Sequence, residues 1–207
     1  MNTIPDWLDW VQRLQTIAQA GLTYEENPFS IERFQQVQQI AAEILEAGTG
    51  VPVDQTYLVL SGEKGYPTPK LDVRGVVLKE GRVLLVKELV DGCWTLPGGW
   101  VDVGEPPSRA AEREVWEESG YQVRAVKLLA LYDHRLHNFT PYFFHIYKLF
   151  FLCDLLGGEA ATSIETGGAE FFDCNALPEL STGRVNREVM ERLFELAAQP
   201  DSPTDFD

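Results

Sequence analysis

An α+β fold, with a sheet packed between helices as an α/β/α sandwich, is what the sequence predicts, and three observations predict it. Two strand-like runs, Leu71–Leu78 and Val83–Glu88, flank Lys79-Glu80-Gly81-Arg82 and read as a β-hairpin. A stretch without helix breakers, Ser108–Ser119, follows, and β-rich runs at 122–132 and 142–155 come after it. A final stretch, Arg184–Ala198, carries Val185, Val189, Leu193, Phe194 and Leu196 at helical spacing. Strands on either side of one helix, closed by another, bury both sheet faces in a layered arrangement.

The chain opens with helices. Trp7, Trp10, Val11, Leu14 and Ile17 follow helical spacing over residues 6–20, and Gly21 is read as the stop. After Asn27-Pro28, Ser30 is read as the cap of a second helix with the stripe Ile31, Phe34, Val37, Ile40, Ala41, Ile44. Residues 1–50 thus form a helical hairpin. Two helices this short cannot bury both stripes against each other alone, so the hairpin is expected to dock, and a homodimer through its tryptophans is favoured. Residues 51–70 are read as linker, from the composition of 47–55, AGTGVPVDQ, and from a second loop at Gly62–Lys70, GEKGYPTPK. The main α+β domain is placed at 71–198, with Trp94–Leu96 and Ala169–Cys174 as short strands, and 199–207 is read as a disordered acidic tail.

The most specific segment is Gly99–Tyr121, GWVDVGEPPSRAAEREVWEESGY. Its spacing is G-x5-E-x7-R-E-V-x-E-E-x-G-Y, fixed by Gly99, Glu105, Arg113, Glu114, Glu117, Glu118 and Gly120. Pro106 and Pro107 suit a first helical turn, where a missing N–H costs least. Gly120 suits the stop. Glu114, Glu117 and Glu118 stand at i, i+3, i+4 and share one arc of the helix, where like charges repel. A divalent cation reverses that repulsion, and an all-oxygen set selects Mg2+ or Mn2+ over zinc. Pro97-Gly98-Gly99 lets backbone approach the site closely. Three glutamates alone are more often a solvated helix face; the glycines, Glu105 and Arg113 at fixed offsets set this segment apart.

These residues resemble the signature box of the Nudix hydrolases, which cleave nucleoside diphosphates linked to another moiety X. Only Tyr121 departs, standing where an aliphatic residue is usual. The similarity runs from about Tyr57 to Arg192 and is greatest to CDP-choline and ADP-ribose pyrophosphatases with an extra N-terminal helical segment. It implies a mixed sheet. It implies Mg2+ or Mn2+ held by Glu114, Glu118, Glu117 and the carbonyl of Gly98, with Gly99, Glu105, Arg113 and Gly120 shaping the box. Glu117, Glu118 and Glu165 are the catalytic candidates; the resemblance places an acidic residue such as Glu165 near the metal, and either Glu117 or Glu165 is the base.

Substrate contacts are read from local chemistry. Arg74, mid-strand on the face of Asp72 and Val76, is a phosphate candidate or an exposed strand arginine. Trp94 and Trp100 are candidates for stacking on a nucleobase, although core packing is the commoner use. His137 is a candidate contact to X, and His134, His137 and His145 are spaced too loosely for one tight metal site. A quaternary ammonium substrate would call for an aromatic cage.

Composition narrows the classes. A net charge of −15 opposes DNA and anionic membranes as partners. Cys93, Cys153 and Cys174 lack a C-x-x-C spacing, which argues against zinc or a disulfide framework and fits a reducing cytoplasm. No apolar run is long enough to span a bilayer, and the first residues lack signal-peptide character. The competing functions are hydrolysis of nucleoside triphosphates or RNA 5′ ends, and a non-catalytic ligand sensor. The complete carboxylate set opposes the second.

Overall fold

The computed structural model of the chain describes residues 4–199 and 201–207. Its elements in order are α1 (Asp6–Tyr24), α2 (Pro28–Thr49), α3 (Val53–Gly62), β1 (Lys70–Lys79), β2 (Arg82–Glu88), β3 (Trp94–Thr95), α4 (Pro107–Ser119), β4 (Tyr121–Asp133), β5 (Ile146–Gly158), β6 (Thr166–Asp173), α5 (Arg187–Ala197) and β7 (Asp205–Phe206). A short 3-10 turn, His134–Leu136, follows β4. The chain divides into two compact units, one formed by the helices to residue 69 with Pro141–His145, the other by the remaining elements.

The second unit is the predicted sandwich around a mixed sheet. Strands run in the order β3-β2-β1-β5-β4-β7, and off this path β6 pairs with β2. β1 and β5 are parallel, as are β4 and β7; the β1–β2, β2–β3, β2–β6 and β4–β5 pairs are antiparallel. Glu80 and Gly81 both have positive φ (52° and 75°), the two-residue turn whose twist matches a hairpin. Strand alternation then sorts the core. Val76, Val83, Leu85 and Phe150 pack with Val189, Met190 and Leu193 of α5. Val73, Val77, Leu84 and Val86 pack with Ala110, Ala111 and Val115 of α4. Gly75 faces α4 as well, where a Cβ would meet Val115 at 2.4 Å.

The helical unit corrects the hairpin: it holds three helices. The stretch read as linker contains α3, because Thr56 and Leu60, one turn apart, bury themselves beside Ala42 and Leu45. Turn-forming residues on both sides hid that short stripe. Gly21 does not end α1. Instead a Cβ there would sit 2.5 Å from the Phe34 ring, so the glycine admits α2 to close packing. The cap of α2 is Asn27, whose side chain accepts from the N–H groups of Phe29 and Ser30, with Pro28 in the first turn. An amide network knits the three helices: Gln15 donates to the Leu60 carbonyl (2.9 Å) and Gln38 to Gln15 (3.1 Å).

The segment read as a disordered tail is also corrected. Asp205 and Phe206 pair with Ala130 and Leu131 at the edge of β4. Asp205 accepts from the Tyr132 hydroxyl (2.8 Å) and from Arg192 Nε (2.7 Å), while Asp207 accepts from Asp133 N–H. Two of the acidic residues that suggested disorder, Asp205 and Asp207, have specific donors.

Candidate active site

The glycine turn and the box helix make one site. Backbone bonds lay the turn along β1: Gly75 N–H to the Pro97 carbonyl, Val73 N–H to Gly99, and Val101 N–H to Leu71, at 2.9, 2.9 and 3.1 Å. The close approach demands glycine. At Gly98 (φ 150°) a Cβ would lie 2.0 Å from the Val73 carbonyl oxygen, and at Gly99 it would lie 2.9 Å from a Glu114 oxygen. Gly98 donates its N–H to Glu118 Oε2 at 2.9 Å. α4 ends at Gly120 in the left-handed conformation.

Arg113 gathers the box carboxylates. It binds Glu105 through Nε and Nη2 (3.1 and 2.9 Å), Glu114 through Nη1 (2.8 Å) and Glu117 through Nη1 (3.0 Å). Hydrogen bonding to these partners, Glu105 first, holds its guanidinium above the ordinary arginine range despite partial burial, and the same bond pulls Glu105 down. Glu118 is different. Burial pushes its carboxyl up to about 7, opposed by Arg74 and the Gly98 N–H and reinforced by Glu114 and Glu88. Burial also raises Glu114, against the pull of Arg113.

Glu165 is brought close through its backbone. Its carbonyl accepts from Leu89 N–H at 3.0 Å, and the next residue, Thr166, donates its hydroxyl to the Glu118 carbonyl oxygen at 2.7 Å. Its exposed side chain stands close enough to help raise the Glu88 carboxyl, an effect for which burial is the main cause. Glu170 lies further along β6 opposite Leu85.

The sequence model of the Nudix domain matches residues 68–193, more than half of the chain. The chain belongs to the Nudix family. Residues 5–60 match a second model, described as a UDP-X-like, N-terminal oligomerisation domain. A Bacillus subtilis protein named putative ADP-ribose pyrophosphatase YjhB is 39% identical over 201 residues, 97% of each chain. A solved UDP-X diphosphatase is 29% identical with a TM-score of 0.64, covering all of both chains. A solved ADP-ribose pyrophosphatase from Streptococcus suis is 38% identical with a TM-score of 0.63, covering 68% of this chain and all of that one.

Nudix enzymes as a family use divalent metal ions. Among the described residues no three His, Cys, Asp or Glu side chains converge on one metal position, and Arg113 lies between the carboxylates of Glu114 and Glu117. The donor chemistry nevertheless fits a hard ion: carboxylate oxygens, two of them on side chains whose burial disfavours bare charge. A divalent ion there would offset that burial cost.

The other candidates separate. Trp100, the second residue of the box, is half-exposed and forms an isolated antiparallel bridge with Asp72. Trp94 packs edge-on against Phe172 at 4.6 Å and joins the core on the α5 side. His137 stacks on Tyr132 at 3.8 Å and bonds Asp207 at 2.6 Å, so its ring is taken up in holding the C-terminal segment. Arg74 is buried, which excludes the exposed-strand reading. It binds Asp72 through Nε (3.1 Å) and Nη2 (2.9 Å) and the Leu96 carbonyl through Nη1 (3.2 Å).

Sequence reasoning passed over four charged residues beside the site. Asp72 and Lys148 are buried and joined by a short hydrogen bond, and Glu88 is buried 2.9 Å from Arg184. One signal was available: Lys148 interrupts the apolar run Ile146–Cys153, and a lysine within a central strand needs a buried partner. For Glu88 and Arg184, which meet only through the tertiary fold, the sequence carries no comparable mark.

Proposed function

We propose that the protein hydrolyses nucleoside diphosphates linked to another moiety, NDP-X, with water giving NMP and phospho-X, and that ADP-ribose is its first substrate. The observation that carries this reading is similarity along the whole chain, helices included, to a putative ADP-ribose pyrophosphatase, combined with a complete set of box carboxylates. CDP-choline follows as a second substrate to test.

Mg2+ or Mn2+ would be held by Glu114, Glu118, Glu117 and the Gly98 carbonyl. When bound, the ion supplies charge neutralisation on the diphosphate and activation of the attacking water. The chain's own residues do the rest. Glu105 ties Arg113 across the loop and so fixes the helix start against the glycine turn. The Gly98 N–H orients Glu118. Glu165 and Glu117 are the bases that can take the proton of the attacking water. Trp100, half-exposed next to Gly99, is the stacking candidate for a base. Three free thiols fit a reducing, cytoplasmic setting, and no helix among the described residues is long and apolar enough to cross a membrane. The N-terminal helices make the protein a homodimer in this reading.

The test is a product assay by mass spectrometry with Mg2+ or Mn2+ over ADP-ribose, CDP-choline, NADH, UDP-sugars and nucleoside triphosphates. AMP and ribose 5-phosphate from ADP-ribose, lost in Glu118→Gln, is the expected result. Glu165→Gln should cut kcat by about 10^2-fold or more with KM little changed; a rate near wild type would leave Glu117 as the base. Glutamate-dependent turnover of triphosphates alone would overturn the substrate class.

A further inference from the structure

Three cations and three carboxylates, the last of them Glu118 of the box, form a chain that crosses β1 and β5. Lys148 donates to Asp72 Oδ2, and Arg74 binds Asp72 Oδ1 at 2.9 Å. Arg74 then reaches the Leu96 carbonyl at 3.2 Å and interacts with Glu118 and with Glu88, which pairs with Arg184. Lys148, Asp72 and Arg74 are 2%, 3% and 6% exposed. Burying such a group costs more than filling the same space with apolar side chains, so stability alone does not account for it.

Its geometry does. Arg74 holds the carbonyl of Leu96, the residue that enters the glycine turn. Two residues on, Gly98 presses against Val73 and Arg74 and gives its N–H to Glu118. Arg74 contacts both Asp72 oxygens, Oδ1 at 2.9 and 3.1 Å and Oδ2 at 3.3 Å, and Lys148 adds a second cation on Oδ2, so the carboxylate is held from two strands at once, while the Phe139 ring sits 5.1 Å from the ammonium. The path therefore runs from Lys148 through Asp72, Arg74 and the Leu96–Gly98 turn to the Glu118 carboxylate.

We propose that Lys148 and Asp72 are positioning residues of the hydrolase site, setting through Arg74 the turn that aims Glu118 at its divalent ion. The catalytic half of this rests on the NDP-X reading above; the metal half does not. Neither residue touches substrate, so their loss shows in kcat and in ion affinity before it shows in KM.

The experiment compares wild type with Lys148→Met, Lys148→Arg and the double variant Asp72→Asn/Lys148→Met, each checked for folding by circular dichroism. Mn2+ dissociation constants are read without substrate from the electron paramagnetic resonance of free Mn2+, and kcat and KM are measured on ADP-ribose. The expected result for Lys148→Met is Mn2+ binding weakened about 5-fold or more and kcat lowered about 10-fold or more, with KM within about 2-fold. Lys148→Arg should recover most of both. If Lys148→Met does not fold, the double variant decides, since it removes opposite charges together and leaves Arg74 an amide acceptor. A folded single or double variant with Mn2+ affinity within 2-fold of wild type overturns the proposal. Wild type that binds Mn2+ but turns over no NDP-X compound would sink the substrate reading, and the Mn2+ comparison would still judge the positioning role.

Discussion

Glu118 carries opposite demands, and its pH behaviour exposes them. Its folded carboxyl titrates near 7 because burial disfavours the charged form, against about 4.5 for the free side chain. A raised carboxyl stabilises the fold fully below the unfolded value, and that contribution is lost as pH rises through the folded one. Metal-free protein should therefore lose thermal stability between about pH 5 and 8, by on the order of 2–3 kcal/mol from this residue. Glu118→Gln should flatten that slope and melt above wild type at pH 8 in EDTA, while losing turnover. Equal pH slopes for the two proteins in calorimetry would refute the burial argument. The adjacent glycines give a second residue-scale contrast. Gly98→Ala drives a Cβ to 2.0 Å from a backbone oxygen that has nowhere to go, and should cost about 2–5 kcal/mol. Gly99→Ala meets only the end of the Glu114 side chain, which can swing. Its stability should stay within about 1 kcal/mol of wild type while activity falls. Denaturant melts of the two variants check the order.

At the scale of elements, the C-terminal strand shows how a two-residue pairing can matter. β7 has too little backbone to stand alone, yet Asp205 satisfies the hydroxyl of Tyr132, a residue only 3% exposed. Asp205→Ala leaves that hydroxyl and Arg192 without their shared acceptor and should destabilise by about 1–2 kcal/mol. Tyr132→Phe/Asp205→Ala together should cost less than the sum of the singles, since they share one interaction; strict additivity in urea melts would show that the bond contributes nothing. This strand marks where legibility ended. Helix α4 and the hairpin were readable because their signals are local: prolines, glycines and alternation within a few residues. β7 was not, because its partners Tyr132 and Arg192 lie 73 and 13 residues away. The box offered its carboxylates by spacing alone, whereas Asp72 and Lys148 meet only when β1 and β5 pair 76 residues apart. His137 likewise meets a partner, Asp207, that lies 70 residues away in sequence.

For the whole molecule, the question is what the helical unit is for. The apolar residues of α1 divide in the structure into two uses, with Val11 of the stripe read from the sequence on one side and Trp10 and Ile17 on the other. Leu8 and Val11 are buried against Ala41, Ala42 and Leu45 of α2, while Trp10, Ile17 and Tyr24 are 53%, 55% and 68% exposed. The exposed three are spaced by seven residues, so they form one line along the helix, the geometry of a helix-to-helix seam. A solvated line of tryptophan, isoleucine and tyrosine is costly for a monomer and is the composition of an interface core. Residues 5–60, which include this line, match the model described as a UDP-X-like, N-terminal oligomerisation domain. The expected state is a dimer whose interface includes this seam and buries about 1,200 Å2 or more. Trp10→Glu/Ile17→Glu places two charges there without touching Leu8 or Val11. It should shift the mass seen by light scattering from dimer to monomer at micromolar concentration, while far-ultraviolet circular dichroism keeps its helical signal. A wild type that stays monomeric at every concentration would sink the dimer. A double variant that remains dimeric would move the interface off α1, leaving the exposed Leu58 and Val59 of α3 as the next apolar surface to charge.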